Sequence, residues 1–221
     1  MTACFLRPFR GPAVTKRSII YIDGFNLYYG ALRKTAHKWL DLERYFTRLR
    51  KHDDIQSIKY CTAIVRPPAR LRQAVYLQAL ATRPRVEVIL GKYKSKRRRC
   101  EVRSCTHAGT RKFNVWEEKR TDVNIAVQML DDAIHGRCER MIVVSGDSDL
   151  VPALERVKSL RPAVQLVVYV PARDPIRGAA VELRAAADKD RTLPLATLGR
   201  SQFPPTLTVG TGSTISKPVG W

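Results

Sequence analysis

Ser18-Ile19-Ile20-Tyr21-Ile22-Asp23-Gly24-Phe25-Asn26 opens as a β-branched run and ends in an acid followed by glycine, which predicts a buried strand running into a tight turn. The same design recurs downstream, where the apolar stretch 140–144 runs into Ser145-Gly146-Asp147-Ser148-Asp149. Around these two segments the apolar periodicity switches repeatedly between strand and helix. Further strands are predicted over 58–65, 85–90 and 164–170, and helices over 26–32, 40–49, 69–81, 122–134, 150–160 and 175–187. Strands separated by ten to twenty helical residues imply right-handed crossovers and a mainly parallel sheet with helices on both faces. Sites in such α/β folds lie at the carboxyl ends of the strands. Asp23, Asp147 and Asp149 follow strands, and Asp122 opens the helix that leads into the 140–144 strand. If the strands at 18–22 and 140–144 are neighbours, all four acids face one crevice.

Aspartate is also favoured at turns and helix N-termini, where it caps backbone donors. Capping needs one side chain per helix, however, whereas Asp147 and Asp149 double the negative charge within three residues and repel each other unless a cation lies between them. Oxygen ligands of this kind suit Mg²⁺. The composition points the same way: 40 Lys and Arg stand against 20 Asp and Glu, a net charge of +20. A phosphate backbone is the partner that most directly offsets such a surface.

Ile20 to Tyr28 (Ile-Tyr-Ile-Asp-Gly-Phe-Asn-Leu-Tyr), Glu117 to Ala126 (Glu-Glu-Lys-Arg-Thr-Asp-Val-Asn-Ile-Ala) and Val144 to Leu150 (Val-Ser-Gly-Asp-Ser-Asp-Leu) together resemble the three signature blocks of the NYN domain, in the LabA-like branch of the PIN-like nuclease superfamily. The resemblance spans residues 18–187. It implies a Rossmann-like PIN fold and Mg²⁺- or Mn²⁺-dependent RNA cleavage, with Asp23, Asp122, Asp147 and Asp149 matching the acidic positions and Asn26 the neighbouring polar one. Asn26 is expected to orient a water or phosphate, and Ser145 and Ser148 to meet an anion. The competing readings are an RNA-binding regulatory module without turnover and a metal-dependent enzyme acting on a small metabolite.

The stretch 91–118 is expected to form an inserted basic hairpin or lobe beside the crevice. Its Lys92, Lys94, Lys96, Arg97, Arg98, Arg99, Arg103, Arg111 and Lys112 would track the phosphates of single-stranded RNA, with Tyr93, Phe113 and Trp116 available to stack on bases. Trp116 is placed in the lobe's own small core. Cys100, Cys105 and His107 in the same stretch form a candidate structural zinc set, although the spacing is imperfect and a fourth ligand is missing.

Residues 1–17 read as a flexible basic arm, 18–190 as the folded domain, and 191–221 as an extended Pro- and Gly-rich tail pinned by Phe203 and Trp221. No apolar run is long enough to span a bilayer. Five cysteines without a secretory signal fit free thiols in the cytoplasm, and self-association into a homo-oligomer is left open. Glycine-rich nucleotide loops, HExxH and a Ser-His-Asp motif are all missing, which argues against nicotinamide, ATP-driven and zinc-protease chemistry.

Overall fold

The computed structural model describes residues 15–173, 180–210 and 212–221. Most of the expected basic arm, with Cys4, and the start of the helix expected at 175–187 lie outside the described residues.

The first strand, β1 (Lys16–Asp23), leads into α1 (Gly24–Leu27), which continues as a π-helical turn over Tyr28–Leu32. Next come α2 (Leu42–Leu49), β2 (Asp53–Thr62), α3 (Ala69–Ala81) and β3 (Val86–Leu90). A hairpin of β4 (Lys92–Arg99) and β5 (Lys112–Lys119) precedes α4 (Thr121–Ile134), β6 (Arg140–Val144), α5 (Val151–Leu160) and β7 (Gln165–Val170). The chain then forms α6 (Val181–Ala185), β8 (Lys189–Thr192), and a final hairpin of β9 (Thr206–Val209) and β10 (Ser213–Ser216).

Six strands make one wholly parallel sheet in the order β3-β2-β1-β6-β7-β8. The chain winds outward from β1 to β3, then crosses back to β6 and winds the other way. The topological switch point therefore lies between β1 and β6, where a ligand crevice is expected. The register Ile22↔Val144 sets Asp23 and Ser145 side by side at that edge.

Alternation along β1 divides the core into two layers. Ile20 and Ile22 pack with Leu27, Tyr45, Phe46 and Leu80 on one face. Ile19 and Tyr21 pack with Ile125, Met129, Leu154 and Val157 on the other. The expected α/β architecture, a three-layer fold around a parallel sheet with an inserted hairpin, is the one observed.

Two features differ from expectation. The tail is not extended: Phe203 is buried against Trp39, Trp39 Nε1 donates to the Pro204 carbonyl at 2.8 Å, and Tyr45 Oη donates to that of Pro194 at 2.9 Å. Residues after 190 thus complete the α1–α3 layer, with β8 crossing the expected boundary. Phe203 and Trp221 do act as pins, the latter packed on Trp39 and Tyr76. The hairpin β4–β5 also lacks a core of its own. Trp116 is 41% exposed, and the guanidinium of Arg66 sits 4.0 Å over its ring.

A buried ionic network ties the second layer together. Lys59 Nζ on β2 lies 2.6 Å from Asp132 Oδ2 on α4, which also accepts from Tyr21 Oη at 2.7 Å, while Asp132 Oδ1 accepts from Arg137 Nη1 at 2.8 Å. Cys61 and Cys138 are buried packing residues, their thiols pushed up to about 12 and about 11 mainly by desolvation.

Candidate metal centre at the sheet's switch point

The carboxylates of Asp122, Asp147 and Asp149 each offer an oxygen within 4.8 Å of the others. Asp122 comes from the first turn of α4, and Asp147 and Asp149 from the turn after β6. Among the described residues this is the group of three or more potential ligands that converges. Its donors are all hard oxygens, partly exposed and free to keep waters, which suits Mg²⁺ or Mn²⁺. Cys100, Cys105 and His107 form no such group, and both thiols are free. The segment between β4 and β5 does not fold them around one point, so the candidate zinc site is not assembled.

Asp23 has a different job from the other three. It is buried, and its Oδ1 accepts from the backbone N–H of Phe25 at 2.9 Å and of Asn26 at 3.0 Å, capping α1. Its Oδ2 accepts from the Asn26 amide and, at 3.3 Å, from Ser145 Oγ. The capping alternative therefore holds for Asp23. Its carboxylate nevertheless lies close enough to raise Asp122. Burial pushes its own pKa up, against the pull of those hydrogen bonds.

Asn26, expected to hold a water or phosphate, forms a strap between two turns. Its Nδ2 donates to Asp23, while its Oδ1 accepts from the Gly146 N–H at 3.1 Å, joining the turn after β1 to the turn after β6. Ser145 continues the strap by accepting from the Asp147 N–H at 3.1 Å. Asp147 Oδ1 in turn accepts from the Asp149 N–H at 3.0 Å and fixes the second turn. Ser148 is exposed beside this turn. Gly24 is obligatory, because a Cβ there would lie 2.9 Å from the Cys61 carbonyl oxygen.

Sequence reasoning missed Glu118. Its Oε1 accepts from the Thr121 N–H at 3.1 Å and from the Thr121 hydroxyl, capping α4. Its charge adds to the field at Asp122. The only sequence signal is its place three residues before Thr121, the spacing at which a side chain reaches a helix start.

Asp122 is raised from 3.8 to about 6, first by desolvation, then by the charges of Asp23 and Asp147. A carboxyl with a raised folded-state pKa favours the folded chain below its unfolded value and loses that advantage as pH climbs through about 4 to 6. Asp122→Asn is therefore expected to stabilise the cation-free protein at pH 7 by ~1 kcal/mol, after discounting for solvent screening at a half-exposed group, or ~2–4 °C in thermal midpoint. At pH 4 the difference should vanish. Thermal melts in chelator at both pH values check this, and an unchanged midpoint at pH 7 would mean that the acids do not repel one another.

The pleat sorts the basic hairpin into two faces. Pairing Tyr93↔Glu118, Ser95↔Trp116, Arg97↔Asn114 and Arg99↔Lys112 places Tyr93, Trp116, Arg97, Arg99 and Lys112 on one side. Tyr93 meets Phe25 edge-on at 5.7 Å, so this side looks toward the turn after β1. Lys92, Lys94, Lys96 and Arg98 project from the other side, where Arg98 pairs with Glu117 at 2.9 Å. Arg103 and Arg111 lie in the exposed segment between the strands, and Arg111 Nη2 donates to the Cys105 carbonyl at 3.4 Å. The charge run is therefore not one continuous surface.

A doubly wound parallel sheet with three carboxylates clustered at its switch point and a basic ribbon at its side defines a class of α/β domains whose acidic edge could hold a cation. Within that class, the chain belongs to the NYN domain family, whose model matches residues 17–194. The chain is 34% identical over 203 residues to 6-hydroxy-3-succinoylpyridine 3-monooxygenase HspA of Pseudomonas putida, a match covering 76% of this chain and 63% of that relative's length. A solved structure of a protein of unknown function from Vibrio parahaemolyticus superposes with a TM-score of 0.49 at 21% identity, over 83% of this chain and 96% of that one. No helix among the described residues is long and apolar enough to cross a membrane.

Proposed function

We propose that this chain is a Mg²⁺- or Mn²⁺-dependent ribonuclease that hydrolyses phosphodiester bonds of single-stranded RNA. The observation that carries this reading is the convergence of Asp122, Asp147 and Asp149 at the switch-point edge, at the base of a ribbon whose Tyr93 face carries Arg97, Arg99 and Lys112 farther along its length. The three carboxylates would hold the cation. When bound, it supplies Lewis acidity and charge neutralisation at the scissile phosphate. Asp23, Asn26 and Ser145 hold the two turns at fixed separation, and the exposed Ser148 hydroxyl is available to a phosphate oxygen. The ribbon's inward cations track the RNA backbone. Free thiols at Cys61, Cys100, Cys105 and Cys138 support a cytoplasmic setting.

The test is cleavage of a single-stranded RNA with Mg²⁺ or Mn²⁺, compared with chelator alone, using purified protein. RNA affinity without turnover under any of these conditions would leave a binding module instead. Salt dependence locates the RNA path. Charge reversal at Arg97 and Arg99 is expected to flatten the slope of log affinity against log salt by about 1 for each phosphate that the ribbon no longer neutralises, while reversal at Lys94 and Lys96 leaves it unchanged. Equal effects from both pairs would remove the assignment of the inward face.

A second reading, catalysis on a small heteroaromatic metabolite, is favoured by the likeness to a relative named for oxygenation of a substituted pyridine. Turnover of such a compound that RNA does not inhibit would support it.

A further inference from the structure

A cavity of about 430 Å³ opens on the turn after β1, where Gly24 and Phe25 line it and the Phe25 N–H donates to Asp23; Asp122, Asp147 and Asp149 do not line it. Its volume is that of a small-ligand site. Phe25, Tyr29, Tyr93 and Trp116 surround it, contributed by α1, the π-helical turn and both strands of the basic hairpin. Tyr29 is 57% exposed and Trp116 41% exposed, so two flat rings are presented to solvent rather than packed in a core. Arg66 and Arg72 also line it. Both are exposed, neither forms an ion pair among the described residues, and no lining residue is acidic. The Arg66 guanidinium lies over Trp116 at 4.0 Å, which holds the charge at the cavity wall with its edge open to a ligand.

We propose that this cavity binds a planar aromatic ring carrying an anionic group, the ring between the aromatic side chains and the anion at Arg66 and Arg72. Aromatic walls select a flat π-system, since stacking is tolerant of its identity. Two guanidinium groups on a wall without carboxylates select negative charge at its edge. A nucleotide of a bound RNA and a free aromatic carboxylate share this chemistry. The site is distinct from the carboxylate cluster, and the inference does not depend on whether that cluster cuts RNA.

Binding would be measured by calorimetry on the whole chain in chelator, so that cation-dependent turnover plays no part. Uridine 5′-monophosphate and pyridine-3-carboxylate are the probes, with uridine as ring without anion and ribose 5-phosphate as anion without ring. At least one probe is expected to bind about tenfold or more tightly than either control. Arg66→Gln and Trp116→Ala, both at exposed side chains, should each weaken that binding about tenfold, whereas Asp147→Asn should leave it unchanged. If a short single-stranded RNA displaces the probe and the same strand with abasic positions does not, the natural occupant is a nucleotide of RNA. If only the carboxylate binds and RNA does not compete, it is a free aromatic acid. Failure of both probes to exceed the controls, or indifference to both cavity substitutions, overturns the proposal. Loss of RNA cleavage with probe binding intact would count against the ribonuclease reading alone.

Discussion

Asp147→Asn is expected to lower cation-dependent RNA cleavage at least about a hundredfold while leaving the fold intact. Asparagine keeps the oxygen that accepts from the Asp149 N–H at 3.0 Å, so the turn after β6 retains its cap. The residue 147 N–H can still donate to Ser145 Oγ. What disappears is one of three negative charges gathered within 4.8 Å, and cation affinity depends on that count. Cleavage rates at saturating Mn²⁺, with a circular dichroism melt as the control for folding, separate the two effects. An undiminished rate at an unchanged melting temperature would locate the chemistry elsewhere. The contrast with Asp23→Asn is instructive, because that change removes a buried charge whose oxygens are all engaged by donors. Its first consequence should be a loosened α1.

Asp132→Ala should be strongly destabilising, at ~3–5 kcal/mol, corresponding to a fall on the order of 10 °C in thermal midpoint. The cause is electrostatic rather than hydrophobic. Lys59 is only 6% exposed, and without Asp132 its ammonium would keep the Gln128 carbonyl oxygen at 2.7 Å but lose its ion-pair partner. Tyr21 Oη, on a strand between β2 and β6, would be left without its acceptor as well. Because the penalty comes from an uncompensated charge, Lys59→Met in the same chain should recover a large part of it. Chemical denaturation of the single and double variants measures this. A single-variant loss below ~1 kcal/mol would mean that Lys59 reaches water and the network is dispensable.

The strands that frame the site are legible because they are short, β-branched and closed by Asp-Gly or Ser-Gly, and β6 matches its expected bounds residue for residue. α3 is equally clear, between Pro68 and the polar residues after Ala81. β2 begins at Asp53, five residues before the expected start. Its first residues look polar because Asp53 is consumed by Arg50, Arg140 and Ser18, and the last two of these meet it only in three dimensions. β8, Lys-Asp-Arg-Thr, is invisible to hydrophobic patterning: an edge strand can be polar when its neighbour supplies the ladder. Prolines and glycines suggest an extended tail, yet Leu193, Leu198 and Leu207 within it are buried.

The site shows the same division. Spacing identifies the carboxylates, since charge doubled within three residues has few structural excuses. It does not show that both oxygens of Asp23 are already engaged, or that the Asn26 amide faces two turns rather than the crevice. Those facts depend on how β1 and β6 are juxtaposed, which a linear pattern does not encode. Nor does counting lysines and arginines reveal that the pleat sends them to opposite sides of the hairpin.

One residue, Arg120, separates the end of β5 at Lys119 from the start of α4 at Thr121, and it takes a left-handed conformation with φ of 82°. A joint that short has no slack. If the ribbon holds RNA as proposed, the bound strand and the start of the helix carrying Asp122 would be joined through this single residue.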